Sequence, residues 1–188
     1  IATLERSGCS NHMGGDLLLI GDGTLWLHKQ NHRNLVQPGA LALSASGSFD
    51  WDLDLAGADD LVTVVKNGLL RELEEELNLP VGAVPHEDVR IVRYGRATYT
   101  GGKPQFLAVA RTRSTRMTHR RGRGDSYVQD VFTVDFDPVD GLEGIVTSLE
   151  RETARHAEAA RPLLLMVATL RQLAEAGDPL ERWLRFDR

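Results

Sequence analysis

The chain has 188 residues, 41% hydrophobic and 26% charged, a balance that fits one ordinary globular domain and excludes a disordered polymer. Its formal net charge of −5 excludes a general nucleic-acid coat, whose surface is basic overall. The single cysteine, Cys9, excludes an internal disulfide and leaves no zinc-ligand spacing, so a reducing, cytoplasmic setting is expected.

In chain order, residues 1–15 form a polar N-terminal segment that begins on Ile1 rather than Met, which leaves room for residues upstream. Residues 16–29 then predict a hairpin: Leu17, Leu18, Leu19 and Ile20, a turn at Gly21-Asp22-Gly23, and an alternating strand from Thr24 to His28. His12, His28 and His32 show no ligand spacing with a carboxylate and read as structural or exposed. A strand and turn over 39–50 lead into an acidic loop over 51–60, where Asp59 or Asp60 is placed to cap the next helix and Asp50, Asp52 and Asp54 read as loop acids. A helix is predicted over 61–77. Strands follow at 89–94, 105–111 and 127–136, with a turn-rich connection over 95–103. Residues 150–176 have helical period and composition, ending at Gly177-Asp178-Pro179, and a short helix is expected around 180–184. Strands on either side of a helix, then a long helix, predict an α/β fold with a mixed sheet between helical layers. The longest apolar run, 162–170, is too short to span a bilayer, so no membrane contact is expected. Its centre, 163–167, suits a homodimer interface as well as a core.

The helix over 61–77 carries the most informative stretch, Arg71-Glu72-Leu73-Glu74-Glu75-Glu76-Leu77-Asn78-Leu79-Pro80. Glu72, Glu75 and Glu76 stand at i, i+3 and i+4 and share a face, beside an apolar stripe of Leu69, Leu73 and Leu77. Asn78 suits a left-handed cap and Pro80 cannot continue the helix, so the acids fall in the last two turns. There the macrodipole is negative, and each carboxylate costs about 0.3–1 kcal/mol before mutual repulsion. A hard divalent cation on oxygen ligands would offset this, and Mg²⁺ typically takes one or two carboxylates together with phosphate oxygens and water. A solvated, acidic helix end is the alternative reading of the same residues.

Arg71, Glu72, Leu73, Glu75, Glu76 and Leu79 resemble the second half of the Nudix box, with Asn78 in place of its Gly. In the first half, one alignment puts Gly57 at the family's Gly and Thr63 at its first Glu. A second places Gly47, within Ser44 to Asp50, at the Gly-rich turn, with an insertion of about ten residues before the helix; either way the first Glu is missing. The resemblance extends in element order over most of 16–176 and implies a single Nudix-like α/β/α domain. It further implies Mg²⁺-dependent (or Mn²⁺-dependent) hydrolysis of a diphosphate linkage in a nucleoside diphosphate derivative, a phosphorylated small molecule. The implied metal ligands are Glu72, Glu75 and Glu76, with Arg71 orienting them and Ser46 and Gly47 at the substrate. An additional acid from a later strand would be Asp130, with Asp125 and Glu143 as alternatives.

Arg111, Arg113, Arg116, Arg120, Arg121 and Arg123 crowd one segment of an acidic protein. Guanidinium forks bind phosphate in bidentate geometry, so Arg111 and Arg113, and secondly Arg93 and Arg96, are expected at an anionic substrate. The competing function is a Nudix-fold module that binds a nucleotide or sugar phosphate without cleaving it, motivated by Thr63. A third, an isopentenyl diphosphate isomerase-like enzyme, relies on a cysteine in the turn occupied by residues 44–50, where none is present.

Overall fold

Leu17, Leu18, Leu19 and Ile20 are at most 1% exposed, and a continuous apolar strand of this kind demands cover on both faces and neighbours on both edges. It receives both in a computed structural model that describes residues 12–33, 37–113 and 128–184. β1 (Gly14–Gly21) and β2 (Thr24–Gln30) form the expected hairpin about Asp22-Gly23. β3 (Leu41–Ala42), β4 (Ala45–Ser48), β5 (Val89–Ala97), β6 (Lys103–Arg111) and β7 (Val128–Asp135) complete one sheet in the order β3-β2-β1-β6-β5, with β4 also on β1 and β7 on β2. β1 and β6 run parallel and the other pairs antiparallel, so the sheet is mixed, as expected.

Alternation along the strands sorts the core into two layers. Leu17, Leu19, Trp26, Phe106 and Ala108 face α2 (Leu61–Leu77), which presents Val65, Leu69, Leu73 and Leu77. Leu18, Ile20, Leu25, Leu27, Leu107 and Val109 face α3 (Gly141–Arg155), α4 (Arg161–Glu175) and α5 (Leu180–Leu184). The result is an α/β/α sandwich. None of the helices among the described residues is long and apolar enough to cross a membrane.

α2 has the bounds expected of it. Asp60 caps it through Thr63 N–H at 2.7 Å, and Asn78 closes it in the left-handed conformation at φ 52°, ψ 45°. Two expectations need correction. The acidic loop contains a helical turn, α1 (Trp51–Asp54), capped by Asp50. The single helix expected over 150–176 is two helices, α3 and α4. Between them Leu41 N–H bonds the Glu158 carbonyl and Ala160 N–H bonds the Leu41 carbonyl, so the chain is drawn onto β3. Pro162 then occupies the first turn of α4, where its missing N–H is harmless, whereas in a continuous helix it would break the ladder. The apolar run over 163–167 is divided: Leu163, Met166 and Val167 are in the core, and Leu164 and Leu165 are on the surface.

β1 leaves β2 to take up β4, since its register partners are Trp26 to Thr24 at one end and Ser48 to Ala45 at the other. The fork is closed by Ser44, fully buried, whose hydroxyl accepts from Leu19 N–H at 2.6 Å and donates to the Trp26 carbonyl at 2.6 Å. Ser44→Ala leaves a buried amide without its partner, and the expected loss in urea unfolding is about 1–3 kcal/mol. A loss under about 0.5 kcal/mol would show that the fork needs no such bridge.

Candidate active site

The expected glutamates converge on β4. Gly47 lies so close to α2 that a Cβ there would sit 2.0 Å from the Glu72 carboxyl carbon, so any larger residue would push the carboxylate from its present place. One residue earlier, Ser46 N–H donates to Glu76 Oε2 at 2.8 Å, and the Ser46 hydroxyl donates to Asp16 Oδ1 at 2.7 Å. Ser46 therefore joins a carboxylate of α2 to one of β1. Gln105 from β6 donates its amide to the other Asp16 oxygen. Glu75 stays largely exposed, at 60%, and Glu74 turns away to accept from Gly82 N–H at 2.7 Å.

Arg71 does more than the expected helix pair with Glu75, which is long at 3.4 Å. Its Nε donates to Asp54 Oδ1 at 2.9 Å and its Nη2 to Asp54 Oδ2 at 3.2 Å, while Nη1 meets Glu72 Oε1 at 3.0 Å and Nη2 also bonds the Ser48 carbonyl at 3.1 Å. Asp54 is 1% exposed, so one of the acids read as a loop residue is buried against the box arginine. It stands in α1, outside the helix that carries Arg71. Gly68 makes room for it: a Cβ there would fall 2.4 Å from the Phe49 ring and 2.8 Å from Asp54 Oδ2.

Burial and crowding shift these groups. The Asp16 carboxyl is pushed up to about 6, first by desolvation, against the lowering effect of Ser46, Gln105 and Lys103. Burial likewise raises Glu72, against the pull of Arg71. It raises Glu76 well above the usual carboxylate range, and the fields of Glu72, Asp16 and Glu75 add to it while Ser46 N–H opposes. Bonding to Asp54 holds Arg71 firmly protonated.

The donor set suits a hard divalent ion: all oxygens, two carboxylates one turn apart, and a local excess of negative charge with few donors to relieve it. Among the described residues no three His, Cys, Asp or Glu side chains are already drawn together as a ligand group. Glu72 and Glu76 are the carboxylates that could hold such an ion, and Glu75 is the exposed third of the set.

The other expected positions fall elsewhere. Ser46 and Gly47 are spent on holding the acids. Asp130 is exposed on β7, opposite Lys29 and separated from β1 by β2. Glu143 is exposed on α3, across the sheet from α2. Arg111 lies at the end of β6 remote from Lys103, where it grips Asp88 at 2.6 Å, bonds the Trp183 carbonyl at 2.5 Å and stacks 4.7 Å from the Trp183 ring centre. It therefore fastens α5 to the sheet, and Arg113 follows it out at that same end, exposed. Arg93 donates to Thr169 of α4 at 3.2 Å, and Arg96 to the Gly102 carbonyl at 3.0 Å. Arg116, Arg120, Arg121, Arg123 and Asp125 lie outside the described residues, as does Cys9. The sequence reading missed Asp16, whose signal is an acid opening an apolar strand after two glycines.

No protein-family profile and no curated protein matches the chain. Solved structures do. A NUDIX hydrolase from Alicyclobacillus acidocaldarius is similar at 13% identity over 96% of this chain and 99% of its own, with a TM-score of 0.61. The NUDIX domain of Shewanella oneidensis NrtR, solved with ADP ribose, is similar at 13% identity over 92% and 94%, with a TM-score of 0.58. A MutT protein from Methanosarcina mazei Go1 is similar at 13% identity over 88% and 94%, with a TM-score of 0.50. The chain has the Nudix fold, and the resemblance seen in the helix motif is borne out at that level.

Two outcomes test the site. Asp54→Ala removes the acceptor of two Arg71 bonds; because Arg71 is about a fifth exposed (21%), the expected loss in denaturant unfolding is about 2 kcal/mol rather than the larger cost of a fully buried pair. Asp16 binds its proton more tightly folded (about 6) than unfolded (3.8). Its contribution therefore destabilises above pH 6 and fades as pH falls through 4. Asp16→Asn removes the charge while its oxygen accepts from one neighbour and its NH2 donates to the oxygen of the other, Ser46 or a turned Gln105 amide, and at pH 7 to 8 it should exceed the parent by on the order of 2–3 kcal/mol, the two converging near pH 4. A gap that is constant with pH would show that Asp16 has the same pKa folded and unfolded.

Proposed function

We propose that this chain is a one-domain, cytoplasmic pyrophosphohydrolase that uses Mg²⁺ or Mn²⁺ to cleave the diphosphate linkage of a nucleoside diphosphate derivative. The observation that carries the reading is the packing of Glu72 and Glu76 against Gly47 and Ser46, which fixes two half-buried acids at the edge of the sheet. Glu72 and Glu76 hold the ion, with Glu75. When bound, the ion neutralises charge on the phosphoryl oxygens and lowers the pKa of water. Ser46 sets the direction of Glu76 through its N–H. Arg71, anchored on Asp54 and the Ser48 carbonyl, restrains Glu72. Glu75, the most exposed of the three, is the one that solvent reaches, and it accepts the proton released as water attacks phosphorus.

A non-cleaving binding module is the second reading. It is favoured by Arg71, whose Nη1 already meets both Glu72 and Glu75, and by the ADP ribose held in the NrtR NUDIX domain, a structure of the same fold.

The test is phosphate-product release from a panel of nucleoside diphosphate derivatives with Mg²⁺, including ADP ribose. Glu76→Gln and Glu75→Gln should each lower turnover at least about a hundredfold, because several kcal/mol of transition-state stabilisation depend on the ion. Equal turnover in parent and variants removes the glutamates from the mechanism. Thermal stabilisation by ADP ribose with no turnover selects the binding module.

A further inference from the structure

The arginines expected to hold the substrate's phosphates are engaged elsewhere or lie away from the glutamates, which leaves open what does hold them. One cation does reach the site. Lys103 opens β6 on the side of the sheet to which Asp16 and Gln105 point, because residues 103 and 105 alternate in step with Leu107, the register partner of Asp16. Its ammonium lies against Gly14, where a Cβ would stand 2.4 Å from Nζ. Nζ donates to the Ser48 hydroxyl at 2.9 Å. Ser48 adjoins the Gly47 on which Glu72 rests, so the ammonium and the Glu72 carboxylate approach β4 from its two faces, close enough for the charge of Glu72 to act on the ammonium.

Lys103 is half-buried, and desolvation lowers its pKa while Asp16 and Glu72 oppose that. No ion pair within 4.0 Å joins it to either acid among the described residues. Arg71, the other cation of the site, already meets Asp54, Glu72, Glu75 and the Ser48 carbonyl. Lys103 instead makes one hydrogen bond among the described residues, and an ammonium has three donors.

We infer that Lys103 is the phosphate-binding cation of this site, directing its remaining N–H donors to the substrate diphosphate beside the ion held by Glu72 and Glu76. This rests on the reading of the site as one for diphosphate compounds. Lysine suits the place because a compact ammonium needs only a point contact, and Gly14, having no Cβ, leaves that approach open.

The experiment is calorimetric titration of the full chain with methylenediphosphonate, a diphosphate that cannot be hydrolysed, in the presence of Mg²⁺. Lys103→Met should weaken binding about tenfold or more and Lys103→Arg should restore part of it, while Lys66→Met, which removes an exposed charge bonded only to the His86 carbonyl, should leave it within twofold. With a hydrolysed substrate, Lys103→Met should raise KM with kcat changed less than threefold. Binding by Lys103→Met within twofold of the parent overturns the inference, as does a parent that does not bind the probe. A parent that binds the probe in a Lys103-dependent way but cleaves no diphosphate compound upholds Lys103 and removes the hydrolytic reading alone.

Discussion

The structure depends on carboxylates held where an ordinary helix would release them to water. Glu72 and Glu76 lie near the negative end of α2, a position unfavourable to each, yet Gly47 and Ser46 of β4 press against them rather than leaving them free. Desolvation is the largest influence on Glu72, Glu76 and Asp16 alike. A sequence selected for stability alone would place glutamine or leucine there, because burying like charges together is costly and a neutral side chain of similar volume avoids the cost. The retention of three such acids around Ser46 and Gly47 is intelligible if a cation and its phosphorylated partner complete the arrangement.

The insertion before α2 belongs to the same arrangement. Trp51, Leu53 and Leu55 of that segment remain exposed while Asp54 is buried, so the short helix is organised around its acid and not around an apolar face. Asp54 accepts from Arg71 and from Asp50 N–H at 2.7 Å, and Asn67 of α2 binds its carbonyl at 2.8 Å. The segment is thereby fastened to α2 at two points one turn apart. Its acid reaches the arginine from outside the helix.

Local signals were legible where local physics decides the outcome. Asp22-Gly23, Asp60 and Asn78 each fix a turn or a helix end through their own backbone preferences, and each was placed correctly. The break at 156–160 was signalled in sequence only by Pro162, which cannot sit in a helix interior, and its position is set by pairing with Leu41, more than a hundred residues away. Asp16 and Lys103 were hidden for a related reason. Each is a single polar residue at the start of a strand, and only the parallel pairing of β1 with β6 brings them to the same end of the sheet. The glutamate face of α2 was visible because one helix carries all of it.

Arginine count proved a poor guide to the anion site because charge alone does not say which end of a strand a residue leaves from. β6 runs from Lys103 to Arg111, nine residues, and at about 3.3 Å per residue its ends are separated by more than two Debye lengths at physiological salt. A guanidinium at one end exerts little screened influence on a phosphate at the other. Arg111 instead spends its fork on Asp88 and its planar face on Trp183, the two uses for which arginine is better suited than lysine. At the glutamate end the ammonium of Lys103 lies against Gly14 and bonds the Ser48 hydroxyl, a point contact that a compact cation on a narrow stem makes. The division of labour between the two ends of one strand thus follows from side-chain shape as much as from charge.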